Sequence, residues 1–360
     1  MNQPVFEQAA DAGQSGAAPL RVRELQAADA GRWEAFVAAC PEATFFHRAG
    51  WKTVLERAFG HRTFFLYAES GTAIEGVLPL AEVRSLFFGH TLAALPFCVY
   101  GGVAATTERA RAALTDAARA LAERLGVDHL EYRSLSPRNP DWAQKDLYVT
   151  FRRTLDPDVE KNLLAIPRKQ RAMVRKGIKN GLRSEFDPGV DRFFALFADN
   201  VHRQGTPALP KRYFALLRQT FGDDCRVLTV SDAAGTPLSS VLTFYWRDEV
   251  LPYYAGDAVA ARELAGNDFK YWELMRDAVE RGYRVFDYGR SKRGTGSFDF
   301  KKNWGFEPQP LHYEYLLVRA TRVSEVNPLN PKYRLFISLW QRMPLALANL
   351  IGPHIVKSLG

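Results

Sequence analysis

The sequence predicts an α+β protein of two tandem halves with like topology, each a mixed sheet flanked by helices, followed by a helical tail. Three observations predict it. A helix-like segment closing on glycine occurs twice, at Val54 to Gly60 and at Leu216 to Gly222. Each copy is followed by a β-rich run, a Gly-Thr turn (Gly71-Thr72, Gly235-Thr236) and a second β-rich run, the pattern of a hairpin. Further on, each half carries another helical segment ending on glycine, Gly126 or Gly282, and then a strand. Corresponding landmarks are offset by 156 to 164 residues. One such match is within reach of chance, whereas four in the same order indicate duplication.

Taken in order, residues 1–19 are rich in Ala, Gly and Gln, with neither a basic start nor an apolar stretch, and are expected to be a disordered leader. The first domain is expected over 20–150. Its helix with Ala110, Leu114, Ala117, Leu121 and Leu125 at helical spacing starts after a Thr107 cap and leads into a strand over 128–133. The second domain is expected over 151–325. Near its start, a helix over 166–183 holds seven basic residues from Arg168 to Arg183 and no acid. Val174, Ile178 and Leu182 are expected to form its apolar stripe, and Arg171, Arg175 and Lys179 share a face. Like charges in that register repel, so the face is either simply solvated or a contact surface for phosphate or RNA. A helix with Phe269, Trp272, Met275 and Val279 is expected after an Asn267 or Asp268 cap, with a strand over 284–289 behind it.

That strand delivers the stretch Phe286 to Phe306, FDYGRSKRGTGSFDFKKNWGF. Arg290, Lys292 and Arg293 with Gly294 and Gly296 make a basic loop, either solvated or suited to an oxyanion. The tail over 326–360 is punctuated by Asn327-Pro328-Leu329-Asn330-Pro331. It then carries Leu335, Phe336, Leu339, Trp340, Met343, Leu347, Leu350 and Ile351 with Lys332, Arg334, Arg342, Lys357 and no acid. Such a segment either packs on the body or lies on an anionic membrane surface, with Pro344 and Pro353 breaking or kinking it.

The composition narrows the partners. A net charge of +8, from 48 basic and 40 acidic residues, favours anionic partners. Three separated cysteines, Cys40, Cys98 and Cys225, form no zinc or disulfide pattern and point to a reducing cytoplasm. No apolar run of about 18 residues predicts a transmembrane span. Metal-ligand spacing is missing, as is the Gly-x-Ser-x-Gly of a serine hydrolase.

The chain resembles, over roughly residues 20–320, the FemAB-like branch of the acyl-CoA N-acyltransferase superfamily. The resemblance is closest to the FemAB-related group associated with exosortase (PEP-CTERM) systems. It is carried by Phe46-His47-Arg48 to Trp51, by IPRKQRAMVRKGIKNGL, by YYAGDAVAARELAGNDFKYWELM and by the 286–306 stretch. It implies two tandem GNAT-like domains and a cytoplasmic enzyme, peripheral at the inner membrane. The implied reaction moves an acyl or aminoacyl group from acyl-CoA or aminoacyl-tRNA to an amine of a peptidoglycan, other cell-envelope or exopolysaccharide precursor. No tightly bound cofactor or metal is implied. The implied partners are a phosphorylated precursor, tRNA, and an anionic membrane surface reached through the tail. Lys301, next to Phe300, would stabilise the oxyanion. Asp287, Tyr288 and Asp299 are candidates for a general base. Arg171, Arg175, Arg290, Ser291, Phe300, Trp51 and Lys52 would meet substrate. Asp257 to Gly266 only partly echoes the pyrophosphate loop of acetyl-CoA enzymes, and the coiled-coil arm of some Fem enzymes is missing. The alternative is a non-catalytic module that holds phosphorylated or lipid-linked sugars in an envelope export system.

Overall fold

The computed structural model describes residues 18–85, 89–323 and 331–358, the side chains of 331–335 excepted. The leader, up to residue 17, and the Pro-rich start of the tail over 324–330 lie outside the described residues. The chain divides into two compact units, one of residues 1–146, 311–325 and 358–360, the other of residues 147–310 and 326–357.

Strands of the first unit's sheet are β1 (Leu20–Glu24), β2 (Arg62–Ser70), β3 (Ala73–Ser85), β4 (Gly89–Ala93), the short β5 (Ala104–Ala105), β6 (His129–Ser134) and β7 (Ala143–Lys145). The second unit supplies β8 (Tyr148–Thr154), β9 (Arg183–Asp187), β10 (Cys225–Ser231), β11 (Pro237–Trp246), β12 (Glu249–Asp257), β13 (Val285–Asp287), β14 (Ser291–Lys292) and β15 (Pro308–Pro310). The chain then returns to the first sheet as β16 (His312–Leu317).

The expected hairpins are β2–β3 and β10–β11. Each sheet has four antiparallel strands in sequence order, then a parallel partner. The orders are β1-β2-β3-β4-β6-β16-β7 and β9-β10-β11-β12-β13-β8-β14, with β4–β6 and β12–β13 the parallel pairs. This is the expected duplication, with a correction to its continuity. The strand antiparallel to β6 is β16, from beyond residue 310, whereas β8 fills the matching place beside β13. A contiguous division at 150/151 assigns 311–325 to the second domain, while their strand pairing puts them in the first unit.

The helices follow the same repeat. In the first unit α1 (Ala30–Ala39) and α2 (Gly50–Phe59) lie between β1 and β2, and α3 (Glu108–Leu125) precedes β6. Thr107 caps α3 by accepting from Ala110 N, and Gly60 and Gly126 end α2 and α3 in the left-handed region, as their positions predict. The second unit opens with α4 (Val159–Ala165) and α5 (Arg168–Lys179). In it, α6 (Asp191–Arg203) and α7 (Lys211–Phe221) precede β10, and α8 (Ala261–Leu264) and α9 (Gly266–Glu280) lie between β12 and β13. The tail forms α11 (Pro331–Arg342) and α12 (Leu345–Val356) after α10 (Gly296–Asn303).

Two glycines set helix approach. A Cβ on Gly256 of β12 would stand 2.4 Å from the Phe197 backbone of α6, and one on Gly177 of α5 would stand 2.8 Å from Phe269 Cβ of α9. Gly177 also corrects the expected stripe of α5. Val174 and Leu182 are buried as expected, but Gly177 faces α9 and Ile178 is turned out, 52% exposed. In the tail, Trp340, Ala348 and Val356 are buried, Gly205 sits against Ile337, and the Gln341 amide donates to Arg203 O at 2.8 Å. Its inner side therefore packs on the second unit. Pro344 separates the two helices, and Pro353 is accommodated within α12.

Candidate functional site

The site begins with a difference between the two repeats. Parallel strands that pair along their length leave no room for a ligand; strands that diverge expose an unpaired backbone edge. In the first unit the space beyond the β4–β6 pairing is bridged. Ala94 N donates to Glu131 O at 2.9 Å, and Gly101 and Arg133 exchange two backbone bonds of 2.7 Å. The Arg133 side chain, 5% exposed, seals the bridge by binding Glu131 at 2.6 Å and the Cys98 carbonyl at 2.7 Å.

In the second unit β12 and β13 pair only through Glu249↔Val285 and Val250↔Phe286. Beyond them β12 runs on to Asp257, hydrogen-bonded to β11 on one side. Among the described residues no strand pairs with its other side. The register slips between Leu242↔Tyr254 and Thr243↔Pro252, which makes Tyr253 an extra residue, a bulge that redirects the edge. Opposite it, the buried Thr243 hydroxyl has no hydrogen-bond partner.

At the far end of β12, Asp257 is held by the Ser239 hydroxyl and by Lys270 Nζ at 2.8 Å. The Lys270 side chain is fully buried and the Asp257 side chain 29% exposed. Neither residue stands out by spacing; the signal that could have found them is a lysine inside the apolar face of a predicted helix. The expected Asn267 or Asp268 cap of α9 is not made, because the residue before the helix is Ala265 and no side chain caps it. Asp268 instead accepts the Trp304 indole N–H at 3.0 Å. Burial pushes its carboxyl up from the usual aspartate range.

The 287–303 segment follows β13, the parallel partner of β12. Behind the basic loop, Thr295 caps α10 by accepting from Phe298 N, and the segment winds into a helix. Asp287 is fully buried and accepts from Thr150 Oγ1 at 3.0 Å and Gly289 N at 2.8 Å. Tyr288 is buried among Tyr271, Phe286, Trp304 and Phe306, its hydroxyl without a hydrogen-bond partner. Burial raises its phenol well above the usual range. Both of these candidate bases are thus buried. Asp287 pins the turn, and Tyr288 is a core residue that resists ionisation.

Lys301 Nζ donates to three backbone carbonyls, Tyr288 O at 2.8 Å, Gly289 O at 3.0 Å and Arg290 O at 3.1 Å. An ammonium has three donors, so all are committed here. Burial pushes its pKa down to about 7, against the opposing pull of Asp287. Phe300 stacks in the cluster of Tyr271, Tyr288 and Trp304. The exposed Arg290 lies over the Tyr148 ring at 4.7 Å, and Ser291 Oγ meets Ser297 Oγ at 3.1 Å. Asp299 is exposed in the first turn of α10.

The structure thus brings Lys301, Asp287, Tyr288, Arg290, Ser291 and Phe300 together around one turn. Arg171 and Arg175 stand on α5, which packs on α9; Arg175 is exposed, and Arg171 donates to Leu164 O at 3.2 Å. Trp51 and Lys52 belong to the first unit. Trp51, expected to meet substrate, is fully buried against Phe45 and Phe46. Lys52 Nζ binds Glu56 at 2.7 Å and Thr63 at 2.8 Å. Among the described residues, no group of three or more His, Cys, Asp or Glu could hold a metal ion.

The family described as an acetyltransferase (GNAT) domain matches residues 168–302, from the start of α5 to α10. Among solved structures, FemX superposes with a TM-score of 0.63 at 14% identity, covering 88% of this chain and 99% of that one. L-PGS from Bacillus licheniformis gives 0.54 at 11% identity, covering 92% and 100%. A tandem GNAT protein from the clavulanic acid biosynthesis pathway gives 0.53 at 16% identity, covering 82% and 97%. No curated protein matches the sequence. The chain therefore has a tandem GNAT-like, FemAB-like fold and carries a GNAT acyltransferase domain in its second unit. Enzymes with such a domain draw the acyl group from an acyl-CoA substrate rather than from a tightly bound cofactor.

Proposed function

We propose that the protein is an N-acyltransferase or aminoacyltransferase that acts on an amine of a phosphorylated cell-envelope or exopolysaccharide precursor. The donor is an acyl-CoA or an aminoacyl-tRNA. The observation that carries this reading is the open, bulged edge of β12 within the GNAT domain, against the bridged edge of β4 in the first unit. An extended acyl carrier bearing amide groups would complete such an edge as a strand does. The amine adds to the acyl carbonyl, the tetrahedral intermediate expels the thiolate of CoA or the ribose hydroxyl of tRNA, and one amine proton leaves with it.

With all its donors on the 288–290 carbonyls, Lys301 acts as a positioning residue. It fixes the turn that follows β13, the parallel partner of β12, and its charge adds to the field at the oxyanion. Asp257 and Asp299 are the partly or fully exposed carboxylates available to take the proton. Arg290, Arg171 and Arg175 would meet phosphate. The reading extends to an exosortase (PEP-CTERM) system and to a peripheral site on the cytoplasmic face of the inner membrane, as the family resemblance implies.

The test is transfer of labelled acyl groups from an acyl-CoA panel and from a charged tRNA pool to a phosphorylated amino-sugar precursor. Saturable transfer from one donor, abolished when Tyr253 is deleted to remove the bulge, is the expected result. Silence from both donors with precursor still bound would establish the second reading, a non-catalytic binding module. One observation favours that reading: no donor of Lys301 is left for an oxyanion.

A further inference from the structure

A helix packed on a protein surface ordinarily turns its apolar face inward and a polar face to water. The tail helices expose apolar side chains as well. While Trp340, Ala348 and Val356 pack inward, Phe336, Leu339, Leu347 and Leu350 are turned out, with exposures of 39%, 58%, 43% and 68%. These four are half of the eight exposed large hydrophobic side chains among the described residues. Leu347 and Leu350 continue through His354 to Lys357, all exposed at helical spacing, so the apolar stripe of α12 ends at a cation, Lys357. Arg342, also exposed, follows the apolar side chains of α11. From residue 326 to 360 the sequence has no Asp or Glu, and Lys332 and Arg334 add to its positive charge. No described helix is long and apolar enough to cross a membrane.

We infer that the outward face of α11 and α12 is a docking surface for an anionic lipid bilayer, with Phe336, Leu339, Leu347 and Leu350 entering the headgroup boundary and Arg342 and Lys357 meeting lipid phosphates. Apolar anchors flanked by cations, without a carboxylate, are complementary to such an interface. A second copy of this segment would bring two cationic, acid-free surfaces together, which disfavours self-association as the cover. The inference deepens the peripheral placement proposed above and rests on it, but not on the chemistry of acyl transfer.

The test is flotation of the full chain with vesicles of phosphatidylcholine, with and without phosphatidylglycerol, at low and high salt. The compared variants are Leu339→Ser/Leu347→Ser/Leu350→Ser and, on the basic helix α5, Lys176→Glu/Lys179→Glu. All five positions are exposed, so both variants are expected to fold, which circular dichroism checks. Binding is expected only to vesicles with anionic lipid, to weaken with salt, and to fall by more than about tenfold in the leucine variant while the α5 variant keeps most of it. Three results would overturn the inference. These are binding lost in the α5 variant alone, binding indifferent to both, and no binding with a concentration-dependent dimer that the leucine changes dissolve. Acyl transfer measured on a water-soluble acceptor without vesicles reports on the catalytic reading separately.

Discussion

At the scale of single residues, the turn after β13 is controlled by one buried cation. An ordinary lysine titrates near 10.5, and burial takes Lys301 down to about 7. Between those values the unfolded chain holds a proton that the native protein has shed, so native stability rises with pH across that window. Its slope is at most about 1.4 kcal/mol per pH unit. Lys301→Met should flatten this rise, which urea unfolding at a series of pH values would reveal. If Lys301 positions the turn through its charge, the same change should lower kcat/KM by about a hundredfold and remove a limb of the pH profile near 7. A purely packing role would leave the profile in place. Tyr288 allows the opposite experiment. Its hydroxyl is buried without a partner, so Tyr288→Phe should leave stability unchanged or raise it by about 1 kcal/mol, with transfer intact, as thermal unfolding and label transfer would show. Loss of transfer with the fold preserved would restore the tyrosine as a catalytic residue. The family resemblance nominated Lys301 and, beside it, Tyr288, and could not separate their roles, because burial and hydrogen-bond satisfaction come from side chains far away in sequence.

At the scale of elements, the helices and hairpins were legible because their signals are local. Thr107 before α3 and the glycines after α2 and α3 act where they stand. The basic helix α5 was legible as a helix, but its buried side was not. The stripe through Val174, Ile178 and Leu182 misplaced Ile178 because close packing against α9 selects the smallest residue, Gly177. Gly177→Ala should therefore cost about 1–3 kcal/mol despite its favourable helix propensity, measured by chemical denaturation. An unchanged or raised midpoint would show that α5 can move off α9 without loss. At α10 only a basic loop was legible in the sequence, and the Thr295 cap with the Phe300 contacts to Tyr271 and Trp304 makes the segment a helix.

At the scale of the whole molecule, the first sheet depends on a strand that follows the second sheet in the chain. Residues 1–146 lack β16, whose Glu314 carboxylate is fully buried and accepts from Arg138 N, Asn139 N and the Asn139 amide at 2.7–2.8 Å. A fragment ending at Asp146 should lose its cooperative transition and near-ultraviolet dichroism. Fusing residues 311–323 behind it should restore both; a fragment already native without them would remove the strand's structural role. The duplication, the order of helices and hairpins, the basic helix and the acid-free tail were determined by the sequence itself, because composition, periodicity and capping act over a few residues. Tertiary structure alone decided which repeat has an open strand edge, where β8 and β16 pair, and that Asp287 and Tyr288 are sealed while Lys301 is spent on backbone carbonyls. Those outcomes depend on pairing and desolvation between residues up to 176 positions apart, and no local pattern encodes them.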